Sequence, residues 1–376
     1  MTGTMDRDAI LSEGVARAGD AVDVDEHTPW VHALDVLVDS ANDEGRLSAA
    51  GAAAMGEKLT DITRERLQAE TLLREHSNLA GQPVSVRFAV SGFARSGTTV
   101  LHRLLGCDPD VDFLPTWQAF RPVPSGRCAP ADDPRRDEMN ATVEMMRQIG
   151  ALAVHPMATD EPEEEVFLLQ HSFASLLAEL NCPLPSYVEF LATRDQRGAY
   201  EFVFDLIRLN QWAADAPFDR PRIAKSPQFL FDLPTVLDVM PDATVVWMHR
   251  DPVEVVGSYC SIYANGRQRF MDDVDLRDVG RERVTELERI ARRGAAARTH
   301  QPDRFVDVDY TRMMREPLTV LAEVYDAAGI ELTGATVANA QTWLDANPKG
   351  AGGRHAYDLG DYGLDPDDIR ARFASG

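Results

Sequence analysis

The stretch Val86–Gly106, VRFAVSGFARSGTTVLHRLLG, decides the fold. Val86, Phe88 and Val90 alternate with their neighbours as residues of a β-strand do. A polar turn, Ser91–Thr99, follows and contains Gly92 and Gly97. Val100, Leu101, Leu104 and Leu105 then recur at helical spacing. Strand, glycine-rich turn and helix in this order aim free backbone N–H groups at an anion. Gly92 and Gly97 let the backbone bend sharply and approach a phosphate with no Cβ in the way. Ser96, Thr98 and Thr99 add hydroxyl donors, and Arg95 adds a full charge on a planar fork of donors. The spacing Gly92 to Gly97 matches the P-loop pattern G-x-x-x-x-G-K-[ST], with Thr99 at its final hydroxyl position. Thr98 stands where that pattern has lysine, so Arg95 is the loop's only basic residue.

The rest of the composition narrows the choices. The chain has 376 residues, 44% of them hydrophobic, enough to bury a large core. Its net charge is −23, from 38 Lys+Arg against 61 Asp+Glu. Such a chain is repelled by nucleic acid and by anionic membranes, and neither is expected as a partner. An anion site must therefore be a local concentration of Arg, Lys and N–H groups. Cys107, Cys128, Cys182 and Cys260 are far apart and suggest neither a zinc site nor a disulfide framework. The first residues have no signal-peptide pattern, and no apolar run approaches the ~20 residues of a membrane span. The expectation is a cytoplasmic protein without a bound metal.

Residues 1–83 read as a helical N-terminal extension, with helices over Trp30–Val38 and Leu47–Leu79 ended by Gly81 and Pro83. Residues 84–376 read as an α/β domain. A second strand is expected over Val111–Trp117, followed by a Pro- and Arg-rich loop, Arg121–Arg136, and a helix over Asp137–Leu152. A further helix is expected to begin near Pro162 and to continue through Val166, Phe167, Leu169, Phe173 and Leu176. Another covers Ala199–Ala213. Strands at Arg222–Ala224, Ala243–Met248 and Arg304–Val308 alternate with helices at Leu230–Val239, Val253–Tyr263, Arg281–Ala297 and Leu318–Ala328. This predicts a P-loop-like parallel sheet with helices on both faces. Ligands bind outside the carboxyl ends of such strands, so Arg95, Lys225 and Arg250 should converge on one rim. The Gly-rich tail, Asn347–Asp361, reads as a loop.

Arg250 closes an apolar strand, and Asp251-Pro252 opens a helix as N-cap and first residue. Ser258 lies two turns into that helix. An Arg at a strand end and a hydroxyl on the next helix can grip a second phosphate; alone, Arg250 could equally pair with a carboxylate at the helix start. Taken together, Ser91–Leu101 and Arg250–Ser258 resemble the 5′-phosphosulfate loop and the 3′-phosphate motif of the sulfotransferases that use 3′-phosphoadenosine 5′-phosphosulfate (PAPS). Lys225-Ser226-Pro227 occupies the place of that family's Lys-containing segment. Pro348-Lys349-Gly350, Gly353-Arg354 and Tyr362-Gly363-Leu364 are similar to the segment that closes over the nucleotide. The likeness covers roughly residues 84–365 and is strongest to the bacterial branch with a helical N-terminal extension. It implies PAPS as co-substrate, bound by Arg95, Ser96, Gly97, Thr98, Thr99, Arg250, Ser258, Lys349 and Arg354. Arg95 and Lys225 are then the charged groups that stabilise the transferring sulfuryl group and the leaving phosphate.

Two positions depart from the family pattern. Arg95 replaces the lysine usual in the cytosolic eukaryotic branch and keeps its charge. Pro227 stands where that branch has its catalytic histidine, and proline cannot act as a base. The base must come from elsewhere: Glu164 first, then His155, then Glu161, Glu163 and Glu165. The acidic run also suits the first turn of a helix, with Asp160 and Glu163 as a capping pair. Two other functions stay open: a P-loop kinase with Asp251 holding a metal, and a non-catalytic nucleotide-binding protein. Phe113–Arg136, with Trp117 and Phe120, and the helix Phe167–Leu180 should line an apolar cleft. The acceptor is then a hydrophobic small molecule or lipid rather than a bare sugar.

Overall fold

A computed structural model describes residues 2–19, 24–25, 27–148, 152, 157–348 and 357–374. Four parallel strands form one sheet: β1 (Val86–Gly92), β2 (Arg222–Lys225), β3 (Thr244–His249) and β4 (Phe305–Asp309). Their spatial order is β2-β1-β3-β4. The chain leaves β1 for one edge of the sheet, returns to β3 on the other side of β1, and then moves outward to β4. The switch point is therefore the crevice beyond the carboxyl ends of β1 and β3, which the fold makes its natural ligand site.

The strands are apolar on both sides because both sheet faces are covered. Phe88, Val90, Ile223, Val246 and Met248 pack on one face with Leu101, Leu104 and Leu105. Ala89, Ala224, Val245 and Trp247 pack on the other. The β1–β2 register shifts between Val86 and Phe88, and Val86 joins the second core, not that of Phe88 and Val90.

The N-terminal helices α1 (Arg7–Ala18), α2 (Pro29–Glu44) and α3 (Ala49–Glu75) contribute to that second core. Ser48 caps α3 by accepting the Gly51 N–H at 3.0 Å. Gly14 of α1 lies so close to α3 that a Cβ there would meet Thr63 Cγ2 at 2.5 Å. Trp30 stacks on Phe173 with centroids 6.0 Å apart. The Arg66 guanidinium lies 3.5 Å above the Phe202 ring, on the helix Arg197–Ala213. The extension thus shares its apolar interior with the sheet.

Several local expectations are corrected. Val111–Trp117 is not a strand: Asp112 makes one bridge to Arg222 at the sheet edge, and Thr116–Phe120 is a short helix. Pro115 lacks the N–H a continuing ladder needs. No helix begins at Pro162, which bridges Pro115 instead. Only Val166–Leu169 is α-helical there, and a 3₁₀ turn follows. The long helix fails at Phe173, whose φ of 45° is left-handed. Asp160 and Glu163 form no capping pair, because Asp160 binds Arg136 at 2.6 Å. The helices Pro185–Thr193, Tyr310–Arg315, Gly334–Ala346 and Pro366–Phe373 add to the predicted set.

Candidate active site

The turn after β1 is shaped by its backbone. Gly92 has φ 149°, and a Cβ there would meet Met248 O of β3 at 2.7 Å. Gly97 has φ 90°, with Tyr310 Cδ2 only 3.0 Å from where its Cβ would lie. Arg95 itself adopts a left-handed φ of 70°, a conformation that nests successive N–H groups. Ser96 Oγ donates back to Phe93 O at 2.6 Å and tightens the turn. The helix α4 (Thr98–Leu105) then starts at Gly97, and no side chain among the described residues caps it. Its first N–H groups and the positive end of its dipole thus face the rim. Two contacts from far along the chain hold the loop: Ser91 Oγ donates to Ser226 O (2.9 Å), and Ala94 N donates to Tyr259 Oη (3.0 Å).

Arg250 follows β3 and reaches the loop directly. Its Nη1 donates to Arg95 O at 2.5 Å, its Nε donates to Glu254 at 2.5 Å, and its guanidinium lies 4.0 Å over the Tyr310 ring. Asp251 accepts the Val253 N–H at 2.8 Å and so caps the helix Pro252–Arg267, which carries buried Ser258. Tyr357 covers Gly257 so closely that a Cβ would meet its Cε2 at 2.1 Å, and its hydroxyl donates to Glu254 O (3.0 Å). Beside Arg250 and Ser96 lies an open cavity of about 510 Å³, which Arg298 and Arg370 also line. Tyr259, Tyr357 and Arg370 had no local signal in the sequence, since each reaches this rim from a distant segment, whereas Tyr310 directly follows the strand β4.

Lys225 ends β2 with its side chain 1% exposed. Its ammonium pairs with Glu164, whose side chain is 15% exposed. Backbone pairing delivers Glu164 to this point. Thr116 N donates to Glu161 O (3.0 Å) and Glu163 N to Leu114 O (2.8 Å), so the acidic run lies along Leu114–Thr116. Glu165 N then donates to Lys225 O at 3.2 Å, and Glu165 Oε2 accepts the Lys225 N–H at 2.6 Å. The acidic residues are sorted by their partners. Glu161 binds Arg103 at 2.6 Å, and Glu163 Oε1 accepts the Glu164 N–H at 3.0 Å. Burial pushes the Glu165 carboxyl up to about 8, against the pull of Arg222 and Lys225. Glu164 pairs its carboxylate with the Lys225 ammonium, whereas the Glu165 carboxylate takes the Lys225 backbone N–H. The structure thus brings Arg95 and Arg250 together, and Lys225 and Glu164 together. His155, Lys349 and Arg354 lie outside the described residues.

His102, on the inner side of α4, is fully buried with neither ring nitrogen hydrogen-bonded among the described residues. Burial, then the charges of Lys225 and Arg103, hold its pKa well below the usual 6.5. The folded state keeps this ring neutral while the unfolded chain takes up a proton near pH 6.5. Stability is therefore full above that pH and falls as the pH drops below it. As the pH is lowered from about 7.5 to about 5 the wild type should lose more stability than a His102→Gln variant. Urea midpoints at the two pH values check this, and parallel losses in both proteins would contradict it.

No group of His, Cys, Asp and Glu among the described residues could hold a metal ion. No described helix is long and apolar enough to cross a membrane. The uncapped α4 N-terminus and the left-handed backbone at Arg95 and Gly97 lie beside the Arg250 guanidinium, an arrangement that can bind an anion.

Comparison with known proteins bears on the same rim. The profile of the sulfotransferase family matches residues 88–334. The fold is similar to that of the sulfotransferase STF1 from Mycobacterium tuberculosis, at 25% identity and a TM-score of 0.86 over 100% of both chains. It is also similar to the sulfotransferase STF9 from Mycobacterium avium, at 26% identity and a TM-score of 0.84, covering 100% of this chain and 96% of that one. No curated protein sequence gives a significant match.

Proposed function

Because the chain belongs to the sulfotransferase family, we propose that it moves a sulfuryl group from PAPS to a hydroxyl or amine of a hydrophobic small-molecule or lipid acceptor. The observation that carries this reading is the pairing of Lys225 with Glu164 on the rim that also holds Arg95 and Arg250. Transfer forms a bond from the acceptor oxygen to sulfur and breaks the bond from sulfur to the phosphate oxygen. Glu164 takes the acceptor's proton. Negative charge grows on the leaving oxygen and the sulfuryl oxygens, where Arg95, Lys225 and the α4 N–H groups stabilise it. The ion pair couples these tasks: as Glu164 becomes protonated it releases its hold on Lys225, whose charge turns to the leaving oxygen. Ser96, Gly97, Thr98 and Thr99 cradle the 5′ group. Arg250 and Ser258 bind the 3′-phosphate, and Lys349 and Arg354 are further ligands of the nucleotide.

Arg250→Ala tests this division. Loss of a charged hydrogen bond, about 1.5–3 kcal/mol, should weaken adenosine 3′,5′-bisphosphate by ~10–100-fold. Binding of 5′-AMP should fall less than about threefold. Arg250 also supports Arg95 O, so a loop defect would weaken both ligands alike, and calorimetry showing equal losses would remove Arg250 from the 3′ site.

A further inference from the structure

The donors of Arg250 assigned above to the 3′-phosphate are already in use. Arg250 gives its Nε–H to Glu254 Oε2 at 2.5 Å, and its Nη2 pairs with the same oxygen. Its Nη1 donates to Arg95 O at 2.5 Å, and one face of the guanidinium rests 4.0 Å over the Tyr310 ring. One of these partners differs from the others. Arg95 O is loop backbone and Tyr310 a neutral ring, whereas Glu254 brings a full negative charge. That charge offsets the attraction an incoming anion would feel toward Arg250.

The place of that carboxylate follows from the spacing. Arg250, Glu254 and Ser258 recur at every fourth residue. Glu254 and Ser258 therefore share one face of the helix Pro252–Arg267, one turn apart. A phosphate that touches both Arg250 and Ser258 must enter the space beside the Glu254 carboxylate, and two anions side by side repel. The partner free to leave is the glutamate. The Arg250 side chain is 21% exposed and held on two further sides, while that of Glu254 is 52% exposed. Among the described residues the Glu254 carboxylate has no hydrogen-bond or ion-pair partner except Arg250. The backbone beneath it is fixed, since Tyr357 Oη donates to Glu254 O at 3.0 Å. The carboxylate can thus turn into water, breaking no other contact and leaving no buried charge unpaired.

We infer that Glu254 is an intramolecular competitor for the 3′-phosphate: its carboxylate holds Arg250 until the nucleotide binds, gives way to the phosphate, and returns as the spent nucleotide leaves. This rests on the sulfotransferase reading above. PAPS and the product adenosine 3′,5′-bisphosphate carry the same 3′-phosphate, so Glu254 competes with both. It lowers the affinity at that end of the nucleotide and hastens the departure of the product, a step that can limit turnover.

Glu254→Gln keeps the length and helix propensity of the side chain and removes its charge. Calorimetry on the full chain should show adenosine 3′,5′-bisphosphate binding about three- to tenfold more tightly to this variant than to the wild type, the scale of an exposed ion pair plus the repulsion it ends. 5′-AMP, which lacks the 3′-phosphate, should change by less than about twofold. Stopped-flow dissociation of the bisphosphate should slow by the factor that its affinity gains. Glu254→Ala, too short to reach Arg250, should shift the bisphosphate in the same direction. Unchanged or weaker bisphosphate binding in either variant, or equal gains for both nucleotides, overturns the inference. The wild-type titrations separate the two readings: a chain that binds the bisphosphate no more tightly than 5′-AMP defeats the assignment of Arg250 to a 3′-phosphate, and the inference with it.

Discussion

Glu164→Gln should lower turnover by ~10²–10⁴-fold, the usual contribution of a general base. Affinity for adenosine 3′,5′-bisphosphate should stay within about threefold, because the proposed reaction assigns Glu164 to the acceptor and not to the nucleotide. The other nearby carboxyls are poorly placed to take over. Glu161 is held by Arg103, Asp160 by Arg136, and Glu165 is buried with its carboxyl pushed up to about 8. The amide can still accept a hydrogen bond from Lys225, so the loop and sheet should persist; an unchanged urea midpoint would show that the lost activity is chemical. Turnover like that of the wild type would transfer the role of base to His155 or another glutamate.

Lys225→Met should reduce turnover by ~10²–10³-fold, the scale seen when one preorganised donor to a developing oxyanion is removed. Methionine fills the volume of the lysine stem. Glu164 is left without its ammonium, but its side chain is 15% exposed, so the stability loss should stay below the about 3–5 kcal/mol of a fully buried broken pair. The informative variant is the double one. If Glu164 and Lys225 work as a unit, Lys225→Met/Glu164→Gln should be about as slow as the worse single variant. A rate equal to the product of the two single losses would mean that they act independently, and the coupled mechanism would fail.

What could be read from the sequence was what the chain settles locally. Val86–Gly106 announced its strand, turn and helix because each rests on neighbouring residues, and Asp251-Pro252 announced a helix start that the Asp251 cap then makes. The parallel sheet followed from the alternation of such units. The acidic run was misread as a helix start because its backbone partners, Leu114 and Thr116, lie about fifty residues earlier and compete with the local helix. Apolar spacing after Val166 fitted a long helix, yet Phe173 turns left-handed to stack on Trp30 of the extension. For the same reason Tyr259 under the loop could not be found in advance. Its contact depends on segments that only folding brings together.

The central claim is that Ser91–Thr99, with Arg250 beside it, binds a 3′,5′-bisphosphorylated nucleotide for sulfuryl transfer, not a metal-bound triphosphate. Calorimetry of the wild-type chain tests it most directly. Adenosine 3′,5′-bisphosphate should bind with the same affinity in the presence and absence of EDTA, and more tightly than Mg·ATP. Binding of Mg·ATP alone, lost on adding EDTA, would contradict the claim and return the loop to the kinases.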